Sequence, residues 1–157
     1  MIKLFRLDYR LLHGQVVFSW CGSQGIDYIV VADNVAANDK LKKTTLSLAK
    51  PPGTGLEILE TKEAIRLING GRYQRKTVLL ICGNTKEALE LSKNVDEIKK
   101  VNFGNIAKKE NSKQYDLSVY LTDDELEDAK AILNSGVEVE MQQLPNSPCS
   151  LLKEKIN

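Results

Sequence analysis

Thr77-Val78-Leu79-Leu80-Ile81-Cys82 is the most continuous apolar run in this 157-residue chain, and Gly83-Asn84-Thr85 follows it directly. Such a run offers no polar side to water. A short apolar stretch without alternation, closed by turn residues, reads as a strand covered on both faces, the central strand of a parallel sheet. After Thr85 the pattern turns helical through Leu91.

Outward from that strand the chain alternates. Residues 2–7 read as a strand. Residues 14–24 read as a helix, with Val16, Val17, Trp20 and Cys21 at helical spacing. A buried-type strand at 26–32 stops at Asp33-Asn34. A helix over 38–49 ends at Pro51-Pro52-Gly53. A strand at 56–59 leads to Thr61, an N-cap candidate for a helix that stops at Asn69-Gly70-Gly71. Strands at 98–103 and 117–121 follow, the first leading into a loop at Gly104-Asn105. Thr122 caps an acidic helix start that runs to Leu133, and 137–141 is the last strand. Pro145 and Pro148 mark a turn before a short closing helix. This alternation predicts one α/β domain over 1–157, an open, mostly parallel twisted sheet with helices on both faces. Ligands of such sheets bind beyond the carboxyl ends of the strands, so the loops 8–13, 33–38, 83–85 and 103–109 are the places to look.

Composition excludes several classes. Charged residues are 27% and the net charge is +1, an average that gives no basis for binding nucleic acid or an anionic membrane; any electrostatic function must come from a local cluster. Cys21, Cys82 and Cys149 match neither zinc nor redox spacing and read as reduced thiols packed as small hydrophobes. Lys3 and Arg6 interrupt the first apolar run, so no signal peptide is expected, nor any membrane span; a cytoplasmic protein is expected. No metal and no cofactor are expected. Phe5, Phe18 and Trp20 read as core.

The chain's single histidine lies in Arg6-Leu7-Asp8-Tyr9-Arg10-Leu11-Leu12-His13-Gly14-Gln15-Val16. It follows the first strand and opens the first helix, where backbone N–H groups and the helix dipole favour an anion. A neutral imidazole carries a nucleophilic nitrogen. Arg10 could grip two phosphoryl oxygens. Arg6 could add charge or hold the loop, and Asp8 could orient the ring or brace an arginine. Gly14 lets backbone approach, and amides near Gly14 and Gln15 could donate. The set suits phosphoryl transfer, which is mostly positioning and charge stabilisation. A structural histidine at a turn fits the same residues.

The motif from Arg6 to Val16, with Trp20 beyond it, closely resembles the signature of a known family. This is the IIB component of the mannose/fructose/sorbose class of the bacterial phosphoenolpyruvate-dependent sugar phosphotransferase system. The likeness extends through residues 30–38, Ala49-Lys50-Pro51-Pro52-Gly53, Val101-Asn102-Phe103-Gly104-Asn105 and Gly136-Val137-Glu138-Val139. It implies a phosphocarrier acting as a protein-phosphohistidine–sugar phosphotransferase. His13 would take the group on Nδ1 from the phosphohistidine of a IIA protein and pass it to a sugar carried by membrane IIC and IID components. The chain would then associate peripherally with its transporter. The resemblance gives Arg10 an assisting role and places Lys42 at a basic position on the second helix, usually arginine. It puts Gly83 where the family often has a hydroxyl residue, leaving backbone contacts from Gly83 or Asn84, and Asp33 lies in another site-edge loop. It also implies an antiparallel edge strand. A regulatory or binding protein that kept the fold and lost transfer is the alternative.

Overall fold

The structure, a computed structural model, describes residues 1–156; Asn157, the last residue of the expected domain, lies outside them. Along the chain run β1 (Ile2–Asp8), α1 (Gly14–Gln24), β2 (Tyr28–Ala32), α2 (Asn34–Ala37), α3 (Lys40–Ala49), β3 (Gly55–Leu59), α4 (Thr61–Asn69) and β4 (Val78–Cys82). Then come α5 (Thr85–Asn94), β5 (Lys100–Asn105), β6 (Lys113–Asp116), β7 (Val119–Leu121), α6 (Asp123–Asn134), β8 (Glu138–Met141), β9 (Ser150–Leu151) and a 3₁₀ turn, Leu152–Glu154. Among the described residues the main sheet has seven strands in the order β3-β2-β4-β1-β5-β8-β9. Every pairing in it is parallel except β8 with β9, so an antiparallel strand closes one edge.

The apolar run at 78–82 is an interior strand, between β2 and β1, and all its residues are buried. Its side chains alternate between two cores. Val78, Leu80 and Cys82 join Phe5, Leu7, Val30 and the inner faces of α4, α5 and α6. Leu79 and Ile81 join Leu4, Ile29, Val31 and the inner face of α1, with Leu46 of α3. Both faces are covered, which is why the sequence shows no alternation there. Each fully buried leucine or isoleucine contributes about 1.5–3 kcal/mol. The chain turns one way from β1 to β2 and the other way from β4 to β5. The carboxyl ends of β1 and β4 therefore lie where the sheet changes direction.

Several expectations need correction. The loop 33–38 contains α2, capped by the Asp33 side chain accepting from the Ala36 N–H at 2.8 Å. The helix expected from 38 starts at Lys40, because Asp39 caps it through the Lys42 N–H. Thr61 is the first residue of α4 rather than its cap; its hydroxyl donates to Glu90 and its backbone N–H to Asn34 Oδ1. Gly104 and Asn105 complete β5 instead of forming a loop. The strand expected at 117–121 is only Val119–Leu121, and it pairs outside the main sheet with β6. β6 carries no apolar alternation to betray it. Phe5 and Trp20 are core, but Phe18 is exposed. Thr122 caps α6 as expected, in a reciprocal capping box with Glu125.

Candidate functional site

Alternation along β1 sends Leu4, Arg6 and Asp8 to the α1 face of the sheet, one above the other. Arg6 is 1% exposed, an expensive place for a charge unless it is paired. Its Nη1 donates to Asn102 Oδ1 at 2.7 Å and to the Gln142 carbonyl at 3.0 Å, and Nη2 reaches Asp8 Oδ2 at 3.5 Å. The guanidinium also lies 5.4 Å from the Trp20 ring centre. Asn102 is the register partner of Arg6 on β5. Two residues on, a Cβ at Gly104 would fall inside the guanidinium, so glycine is required there for close approach. Burial lowers the Arg6 pKa to about 10, opposed by the Asp8 carboxylate. Arg6 stays charged at neutral pH and acts as a brace, both terminal nitrogens bonded inside the protein while its buried Nε has no partner among the described residues.

Asp8 is also 1% exposed. Its Oδ1 accepts from the Arg10 backbone N–H at 3.0 Å and from Arg10 Nε at 3.2 Å; Oδ2 accepts from Arg10 Nη2 at 3.3 Å. One buried carboxylate thus holds two arginines. Arg10 lies beside the exposed ring of Tyr9, 5.8 Å from its centre, and keeps a quarter of its side chain in solvent. Among the described residues nothing bonds its Nη1. Asp8 makes no bond to His13.

The chain turns through Leu11, whose N–H donates to the Asp8 carbonyl at 2.8 Å and whose φ is +60°. A left-handed leucine costs about 1–2 kcal/mol; the side chains of Leu11 and Leu12 offset this by burying in the α1-side core. The turn delivers His13 to the N-cap of α1, its carbonyl accepting from Val16 at 3.0 Å and Val17 at 3.4 Å. The imidazole is exposed and, among the described residues, hydrogen-bonded to nothing. Gly14 has φ +30° with open space where a Cβ would stand, so its glycine answers to backbone conformation. The N–H groups of Gly14 and Gln15 begin the helix and have no intrahelical acceptor. An unencumbered imidazole, free first-turn donors and a braced arginine thus share one loop.

Beside it, Tyr9, Arg10, Leu11, Leu41, Lys42, Thr45 and Leu46 line a cleft of roughly 300 Å³. Lys42 of α3 and Arg10 therefore face the same space. The other expected contacts fall elsewhere. The Gly83 N–H is committed to Glu87 Oε1 at 3.1 Å, which removes it as a phosphoryl donor. Asn84 caps α5 through the Glu87 N–H and lines a separate cleft of about 450 Å³ with Glu90, Asp124, Glu125 and Asp128. That acidic lining repels a phosphoryl anion. Asp33 is spent on capping α2 and, being an acceptor, cannot donate to one.

Beneath the turn, Gly83 packs against Asp33 and Leu11, and the buried Glu87 carboxyl accepts from Asn34 N–H and Gly83 N–H. Burial, reinforced by the neighbouring Asp33, lifts Glu87 to about 7 from an ordinary 4.5. The folded state therefore holds its proton more tightly than the unfolded chain. The stability this proton provides is present below about pH 4.5 and is lost as pH rises through 7. Chemical denaturation at about pH 5 and about pH 8 should show the parent losing on the order of 2 kcal/mol more than Glu87→Gln over that interval. Equal losses in the two proteins would contradict this.

Among the described residues no cluster of metal-ligating side chains occurs. Burial raises Cys21 to about 11 and Cys82 well above its ordinary value, so neither is an activated thiol. Cys149, contrary to expectation, is exposed. Sequence reasoning passed over the Asn102 clamp, the apolar wall supplied by Leu41 and the raised Glu87. Asn102 and Glu87 reach the site only through strand register and helix placement, which leave no mark in the local sequence.

The chain matches the family described as PTS system sorbose subfamily IIB component over residues 2–155. It is 33% identical over 145 residues to the N-acetylgalactosamine-specific phosphotransferase enzyme IIB component 1 of Escherichia coli K12, covering 92% of this chain and 91% of that protein. The mannose-specific EIIAB component of Escherichia coli K12 is 28% identical over 148 residues, 94% of this chain but 46% of that protein. Among solved structures, the IIBSor domain of the sorbose permease from Klebsiella pneumoniae superposes with a TM-score of 0.93 at 26% identity, covering 100% of this chain and 96% of that one.

Proposed function

Because this chain belongs to the sorbose-subfamily IIB components of the sugar phosphotransferase system, we propose that His13 is its phosphoryl carrier, acting as a protein-phosphohistidine–sugar phosphotransferase within one IIB domain over 1–157. The observation that carries the assignment is the chain's one histidine, exposed and unbonded at a helix N-terminus, beside an arginine that a buried carboxylate holds in place.

In the first half-reaction Nδ1 of neutral His13 attacks phosphorus on a phosphorylated IIA protein. A P–N bond forms at His13 as the P–N bond to the donor's histidine breaks. In the second, a sugar hydroxyl attacks; a P–O bond forms, the P–N bond to His13 breaks, and the hydroxyl proton leaves to solvent. Charge accumulates on the oxygens of the group in flight. Arg10, with Asp8 fixing one edge of its fork, faces them with Nη1, and the first-turn N–H groups of α1 add donors. Removing one such donor costs about 10²–10³ in rate in comparable sites. Lys42 supplies a second cation across the cleft; a lysine there brings charge without a planar fork. Arg6 positions Asp8 and touches nothing that reacts.

A IIA partner agrees with the mannose-specific EIIAB relative, whose name joins the two components. The membrane IIC and IID components, the sugar at that membrane partner and a cytoplasmic site of action complete the reading. Incubation with phosphoenolpyruvate, the general phosphotransferases and a cognate IIA should place an acid-labile, alkali-stable phosphate on the chain. No label, with the donor verified on a second acceptor, would overturn the proposal.

A further inference from the structure

α3 is barely attached. Of its ten residues only Leu46 is buried. At about 100° per residue, Leu41 and Leu48 fall within about 20° of each other and about 150° from Leu46. Both are turned from the buried face of α3 and are 77% and 83% exposed, although Leu41 also lines the outer wall of the Arg10 cleft. Lys40 and Lys42 flank this stripe on opposite sides, each roughly a quarter turn away. Between Lys40 and Ala49 stand three lysines and no acid, and among the described residues none of the three pairs with a carboxylate.

The hydroxyl residues of the helix already have acceptors. Thr44, Thr45 and Ser47 donate their hydroxyls to the carbonyls of Lys40, Leu41 and Lys43 at 2.8–3.0 Å. With those protons spent inside the helix, the side-chain donors left on this face are its lysines. What it presents is two leucines, flanking cations with long stems and quiet hydroxyls. That combination fits the headgroup region of an anionic bilayer, where leucines enter the acyl boundary and lysines reach phosphate.

We propose that the outward face of α3 is a membrane-docking surface for anionic lipid. The proposal rests on the transport reading above. α3 also lines the Arg10 cleft through Lys42. Seating Leu41 and Leu48 in the headgroups would bring the His13 edge of the sheet beside the membrane, where the sugar emerges. With two leucines the contact is weak and reversible, suited to a carrier that must also meet its donor.

The test is co-sedimentation of the full chain with vesicles of phosphatidylcholine alone and of equimolar phosphatidylcholine and phosphatidylglycerol, alongside Leu48→Asp and Lys40→Glu. Neither residue belongs to the phosphoryl site. The parent should bind the anionic vesicles, and less so in high salt. Lys40→Glu should weaken binding by about fivefold or more, and Leu48→Asp should abolish it. Phosphorylation by IIA should be unchanged in both variants. Equal binding to both vesicle types, or none to either, overturns the proposal, as does dependence of both residues on IIC/IID protein rather than lipid. Failure of IIA to phosphorylate the parent would count against the transfer reading instead, and is read in a separate assay.

Discussion

His13→Gln is expected to fold as the parent does and to take up no phosphoryl group. The imidazole is exposed, bonds to nothing among the described residues and does not cap α1. A substitution of that kind changes stability by no more than about 0.5 kcal/mol. Glutamine keeps size and polarity but has no nucleophilic ring nitrogen. No substitute nucleophile is near: Cys82 is wholly buried with its thiol held protonated, and Cys149 hydrogen-bonds Glu140 at the far edge of the sheet. Labelling by phosphorylated IIA should therefore disappear while thermal unfolding stays in place. A variant that is still labelled would move the carrier to another residue.

Asp8→Ala should be the most damaging change at the site, in folding as well as in transfer. The carboxylate is buried between two guanidinium groups and accepts from Arg6 once and from Arg10 three times. Alanine leaves the Arg6 charge buried with only neutral acceptors, Asn102 and Gln142. Breaking a buried pair this way costs about 3–5 kcal/mol. In a chain of this size that lowers Tm by roughly 6–20 °C. Arg10 also loses the contact that aims it, so the folded fraction should transfer at least about 10²-fold more slowly, the effect of losing a preorganised donor. Thermal melts and single-turnover labelling below the lowered Tm check the two halves separately. A loss under about 1 kcal/mol would mean that the pair is no better than an exposed one.

The difference between these two variants shows which parts of the site are legible in sequence. The chemistry-bearing residues sit on one continuous stretch, so His13, Arg10 and Asp8 could be picked out together, and the strand-to-helix turn followed from local pattern. The unbroken apolar run at 78–82 told the sheet type for the same reason: burial on both faces leaves a composition signal. What stays hidden comes from a distance. Arg6 looks like a solvent-facing charge beside an active histidine, yet β5 slides Asn102 and Gly104 against it and makes it internal. Gly83 looks like a phosphate-binding turn, yet Glu87 takes its N–H. Lys42 comes to the Arg10 cleft only because α3 folds back beside the first turn. β6 escaped notice because a short hairpin outside the main sheet needs no apolar alternation.

The most direct measurement exploits the chain's having a single histidine, which makes its ring signals unambiguous. The ¹⁵N-labelled protein, phosphorylated by IIA, is observed by phosphorus–nitrogen coupling and by one-phosphoryl mass gain. One phosphoryl group per chain, coupled to Nδ1 of His13, is expected. Phosphate on any other residue, or a His13 ring unchanged in a fully phosphorylated protein, would contradict it.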